Sequence, residues 1–134
     1  IPEQGFYNCT SLTTIVFPDN LTEIGQFAFG NCYSLTSFEV PNTVTKILPR
    51  TFYQCTSLTD VIIPNSITSI ESEAFYNCNG LKNVSINLVT PLDIDANVFD
   101  FISLNDVTLK VPSNSTSTYK DADVWQDFGT ITGL

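Results

Sequence analysis

Four cysteines are the side chains whose type and spacing first suggest chemistry in this 134-residue sequence. They are Cys9, Cys32, Cys55 and Cys78, evenly spaced along the chain with a constant 23-residue interval. Thiols bind zinc, attack electrophiles or pair as disulfides. Zinc is disfavoured, because there is no C-x-x-C pair and no histidine. The missing histidine also removes the commonest general base, and four repeat-equivalent thiols leave none privileged as a nucleophile. A disulfide is sterically open if neighbouring coils lie about 5 Å apart, but pairing would break the equivalence of the positions. The spacing favours a column of free, buried thiols filling a slot of constant width.

Other candidates are weaker. Asp93-Ile94-Asp95-Ala96-Asn97 opens like a calcium loop, yet its sixth position is Val98 and its twelfth Leu104. The sharp turn and the bidentate ligand are therefore missing, and a solvated acidic loop is expected. Glu71 and Glu73 lie close together without an evident cleft. Sequons begin at Asn8, Asn20, Asn83 and Asn114. In a chain rich in Asn and Thr they fit chance, mean nothing in a bacterial protein, and in a protozoan one would be best exposed at Asn114. No Gly-rich phosphate loop is present. Neither enzymatic activity, a metal nor a cofactor is expected.

The cysteines belong to a longer repeat, and its elements must position them. Phe6 to Pro18 returns as Phe29 to Pro41 and Phe52 to Pro64, and with an altered ending as Phe75 to Asn87. A fixed period in this range is the mark of a solenoid. Within each copy Ile15/Phe17 and their equivalents alternate with polar positions, which is strand period. Pro18, Pro41 and Pro64 end these strands, since proline cannot donate to a ladder. Asp19-Asn20, Asn42-Thr43 and Asn65-Ser66 supply turns. A second short extended piece follows, at Leu21–Ile24, Val44–Ile47 and Ile67–Ile70. A tight or 3₁₀-like turn through Ala-Phe then leads to the next cysteine. A fifth copy keeps the register without its cysteine: Phe101 takes the Cys position, followed by Leu104, Val107 and Leu109. No single repeat buries its own apolar face, so stacking and end caps are needed. Ser113 or Asn114 is the expected N-cap of a short closing helix, with Tyr119, Trp125 and Phe128 plugging the stack. The opposite end begins mid-repeat, so a fragment of something longer is expected.

Composition narrows the partners. Fourteen acidic against five basic residues give a net charge of −9. That leaves no basic footprint for nucleic acid and repels anionic membranes. No apolar run is long enough to span a bilayer.

The repeat A-F-x-x-C-x-S-L-x-x-V-x-I-P-x-x-V-x-x-I resembles the BspA-like subclass of leucine-rich repeats. Phe29-Gly30-Asn31-Cys32-Tyr33-Ser34-Leu35, Ala74-Phe75-Tyr76-Asn77-Cys78 and Ile62-Ile63-Pro64-Asn65-Ser66-Ile67-Thr68-Ser69-Ile70 carry the resemblance. So does the ending from Val111-Pro112 through Tyr119, Trp125 and Phe128 to Ile131. It implies a right-handed, β-rich leucine-rich repeat solenoid with a parallel sheet on the concave face. The convex face would carry short turns, strands or 3₁₀ pieces. Residues 1–111 would form about five repeats, the first truncated, and 112–134 a small helical C-terminal cap. Members are usually secreted or cell-surface proteins of gut and oral anaerobes and of some parasitic protozoa. Several are adhesins, binding host extracellular-matrix proteins or other bacteria.

The resemblance therefore points to a non-enzymatic module for protein, host-matrix or glycan recognition, without nucleic acid or membrane insertion. The alternative is a spacer extending another domain. The expected binding surface is the outward side of the concave sheet. One column there is Thr14, Ser37, Asp60, Asn83 and Asp106; the other is Val16, Glu39, Ile62, Ser85 and Thr108. Val16 and Ile62 flanking Glu39 form a candidate contact patch.

Overall fold

The computed structural model describes residues 1–134. A five-stranded, all-parallel sheet runs along one side of the coils, in the order β1 (Ser37–Glu39), β3 (Asp60–Ile63), β5 (Asn83–Ile86), β6 (Thr108–Val111) and β7 (Thr130–Gly133). A minor parallel pair joins β2 (Lys46–Ile47) to β4 (Ser69–Ile70). Strand residues alternate between core and solvent, as in the buried Phe38, Val61 and Ile63 between exposed Ser37, Asp60 and Ile62. Proline follows β1, β3 and β6, at Pro41, Pro64 and Pro112. Where Asn87 replaces it, the restored N–H adds one ladder bond, to the Ile63 carbonyl at 3.0 Å.

The opposite side is held by a second, turn-based ladder. Asn8 donates to Gly30, Asn31 to Tyr53, Gln54 to Tyr76 and Asn77 to Asp100, each to the following coil. These donors sit in the left-handed region, at φ from 55° to 61°. Asparagine tolerates that conformation better than other non-glycine residues, which explains its recurrence beside the cysteines. Phe27, Arg50 and Glu73 adopt the same φ one turn earlier in their coils.

Between the ladders runs a column of phenylalanines. Phe6, Phe29, Phe52, Phe75 and Phe99 stack nearly parallel, with centroids 5.1–5.8 Å apart. Trp125 and Phe128 then meet Phe99 edge-on, at 70° and 85°, and end the stack. Tyr119 and Trp125 are fully buried. Their polar tips donate to the carbonyls of Leu88 and Leu92, both at 2.8 Å. The closing helix α1 spans Thr116–Lys120. Its N-cap is Ser115, with no side-chain capping bond, rather than Ser113 or Asn114.

The sequence register fails at both ends of the sheet. Ser37, Asp60 and Asn83 align at the same interval as the cysteines. Asn83, however, aligns with Thr108 rather than with Asp106, which that interval selects. The excess is accommodated around two 3₁₀ turns, Ala96–Phe99 and Leu104–Asp106. Phe99 occupies the core aromatic position, and Phe101, expected at the buried Cys position, is 70% exposed. Phe101 keeps the left-handed φ of Asn77, at 63°, so the Cys-equivalent position passes to Ile102. At the other end, Thr13 to Phe17 form no strand, and no backbone hydrogen bond involves them. Phe17 still packs on Phe38 at 5.4 Å, so the side chains enter the core while the backbone stands apart from β1.

Candidate functional site

Strand alternation places Ser37, Asp60 and Asn83 in one outward column, continued by Thr108 and Thr130. Glu39, Ile62 and Ser85 form the second, continued by Lys110 and Thr132. Thr108 thus moves from the second column to the first. Asp106 leaves the sheet face altogether and lies in the 3₁₀ turn before β6. Lys110, Thr130 and Thr132 are outward residues that a uniform repeat count misses. A signal was available: Pro112 is the counterpart of Pro64, and counting back from it puts Thr108 in the column of Asp60.

The first column carries a built polar centre. The Asp60 carboxylate accepts hydrogen bonds from the Thr59 hydroxyl at 2.7 Å and the Asn83 amide at 2.9 Å. The Thr59 hydroxyl also lies 3.0 Å from the Thr36 carbonyl, so its one proton is shared between that carbonyl and the exposed Asp60 carboxylate. Beside it, Ile62 is 40% exposed in the second column.

Thr14 and Val16 lie across a cleft from the sheet, because their segment does not pair with β1. The cleft has a volume of about 660 Å³. Val16, Glu39 and Ile62 all line it, together with Thr14 and Ser37. Val16 is 94% exposed. The charged residues lining the cleft are Asp19 and Glu39, both acidic. Lys110 is the one basic residue in the two columns, so charge changes sign along the sheet.

The cysteines are free, and Cys32, Cys55 and Cys78 are fully buried while Cys9 is half-buried. Their spacing has a further purpose. Cys32, Cys55 and Cys78 donate to the carbonyls of Phe6, Phe29 and Phe52 at 3.0–3.2 Å, one coil back. Burial, reinforced by the neighbouring thiols, pushes Cys32 up to about 12. The adjoining Cys78 thiol and burial raise Cys55 as well. These thiols are poor sources of thiolate.

The remaining candidates are engaged elsewhere. Asn97 receives the Glu73 N–H and donates to Ser72, and Ala96 to Phe99 form a 3₁₀ turn rather than a calcium loop. Glu73 is ion-paired with Arg50, and Glu71 accepts from the Ser69 hydroxyl. Asn8 is bonded to Asn31. No group of three or more His, Cys, Asp or Glu side chains is arranged to hold a metal. No helix is long and apolar enough to cross a membrane.

Comparison with known proteins places this geometry. The model of the BspA-type leucine-rich repeat region matches residues 1–122 in six copies. The chain is similar to the crystal structure of a leucine-rich repeat protein from Bacteroides ovatus ATCC 8483, with a TM-score of 0.63 and 29% identity. The match covers 99% of this chain and 27% of that one, so the chain spans about a quarter of that protein's length. No curated protein matches. The fold is accordingly that of a right-handed leucine-rich repeat solenoid with its parallel sheet on the concave face.

Proposed function

Because the chain belongs to the BspA-type leucine-rich repeat family, we propose that it is a non-enzymatic recognition module, presenting its concave sheet to a protein partner at a cell surface or outside the cell. Host extracellular-matrix protein is the leading partner class, with glycan as the alternative. The observation that carries this reading is the Asp60 centre. A carboxylate hydrogen-bonded to Thr59 and Asn83 stands on a rigid sheet beside the exposed Ile62. Polar groups on a rigid element next to apolar area are what a recognition surface requires. Fold alone assigns no partner.

The test is capture from a panel of purified matrix proteins and glycans, with an inert repeat protein as control. A saturable partner is expected, weakened at least tenfold by Asp60→Lys and less by Asp60→Asn, which retains one acceptor. Capture unchanged by both substitutions at Asp60 and by Glu39→Lys would remove the sheet face from consideration.

A further inference from the structure

The backbone of the first coil is tied to the second except along the sheet, with Gly25 donating to Ile1 at 2.8 Å. Opposite the sheet, Gln4, Phe6 and Asn8 donate to Gln26, Ala28 and Gly30 at 2.7–2.9 Å. On the sheet side, Thr13 to Phe17 make no backbone bond, and the cleft separates them from β1. β1 is therefore an edge strand. Val40 donates to Ile62, and Thr36 accepts from Asp60. By alternation along the strand, the N–H and C=O groups of Ser37 and Glu39 face away from β3, toward the Thr13–Phe17 side. An edge of this kind is a template for another strand.

Resting on the recognition role above, we propose that this cleft is a strand-addition site, taking an extended segment of a protein partner that alternates basic and apolar residues. Three features select that occupant. The unpaired main-chain groups of Ser37 and Glu39 offer ladder bonds, which is how added strands gain affinity. The volume of about 660 Å³ lies within the range of ligand pockets. Among the lining side chains, Asp19 and Glu39 supply negative charge with no Lys or Arg to offset it, while Val16 and Ile62 supply apolar contact. Charges at such a rim set partner choice and association rate. The occupant's side chains alternate with strand period, so basic residues meet Glu39 on the outward face, beside Ile62, and the apolar ones between them turn toward Phe17 and Phe38, which line the cleft on the inward side. The competing occupant is the chain's own Thr13–Phe17 segment, closing onto β1.

The probe is a labelled hexapeptide alternating valine and lysine, capped at both ends and titrated into the full chain. Saturable binding is expected, with amide exchange at Ser37 and Glu39 slowed at least tenfold and affinity falling at higher salt. Alternate N-methylation of the peptide, which removes its ladder donors, should weaken binding at least tenfold. Glu39→Pro removes one edge N–H without touching the bonds to β3 and should act similarly, whereas Glu39→Gln should cost only a few-fold. Should Glu39→Pro fail to fold, the N-methylated peptide decides alone. Equal binding of that peptide would overturn the proposal. So would exchange at Ser37 and Glu39 already slow in the free chain, because Thr13–Phe17 would then fill the edge. A silent hexapeptide alongside retained capture of a matrix protein would sink the edge alone; silence in both would sink the recognition reading too.

Discussion

Cysteine is used here as a hydrogen-bond donor. Each buried thiol reaches back one coil to a phenylalanine carbonyl, at 3.0 Å for Cys55 and Cys78, so its value lies in remaining protonated. That has a consequence at alkaline pH. The thiols of Cys32 and Cys55 titrate above their ordinary value in the fold, and burial pushes Tyr119 up to about 12. The unfolded chain therefore loses these protons first. Stability present below about pH 9 should fall as pH rises beyond it, because the unfolded chain releases these protons at lower pH than the fold does. Urea unfolding between pH 7 and 10.5 checks this; a flat profile above pH 9 would contradict it. A thiol reagent at pH 8 should modify half-buried Cys9 in the folded chain and spare the other three until urea is added.

At the scale of elements, proline fixes where β1 and β3 stop, and Asn87 shows what happens without it. Its N–H reaches the Ile63 carbonyl, carrying the β3–β5 ladder one position further just before the coil lengthens. Asn87→Pro should remove that bond and cost about 1 kcal/mol. Asn87→Ala keeps the N–H and should change the denaturant midpoint by less than half as much. Equal effects of the two would mean that the asparagine side chain, not the backbone, matters. The left-handed turns opposite the sheet are a second elementary device. Asn8, Asn31 and Asn77 announce them by type, but Phe27, Arg50 and Glu73 do not, and no propensity would select those residues for φ > 0.

The whole molecule is close to one-dimensional: each coil touches its neighbours, and stability passes along the stack. The cap matters out of proportion to its length, because Trp125 ends the phenylalanine column and satisfies the Leu92 carbonyl. Trp125→Ala should cost about 3–5 kcal/mol. Trp125→Phe, which retains most of the ring but not the indole N–H, should cost about 1–3 kcal/mol. Hydrogen exchange should rise first in β6 and β7 and least in β1 and β3. Uniform acceleration would instead mean that the stack unfolds as one unit.

Much of this protein was legible in the residues alone, for a definite reason. From Ser37 to Ile86 the constant repeat interval, the strand alternation and the terminal prolines agree. Each coil there has a neighbour on both sides, so local pattern and tertiary demand coincide. The inward and outward assignments of Ser37, Glu39, Asp60, Ile62, Asn83 and Ser85 followed from that agreement, as did the buried positions of Cys32, Cys55 and Cys78. Repetition cannot decide what happens where a neighbour differs or is absent. The shift that moved Thr108 into the first column and Asp106 off the sheet depends on how the lengthened coil seats Phe99 against Phe75 and the cap. The parting of Thr13–Phe17 from β1 depends on a balance between backbone pairing and side-chain packing. Local sequence does not express that balance, since Ile15 and Phe17 repeat the pattern faithfully while their backbone stands off. Period and residue type determined the coil; contacts between coils decided its two ends, and with them the shape of the candidate site.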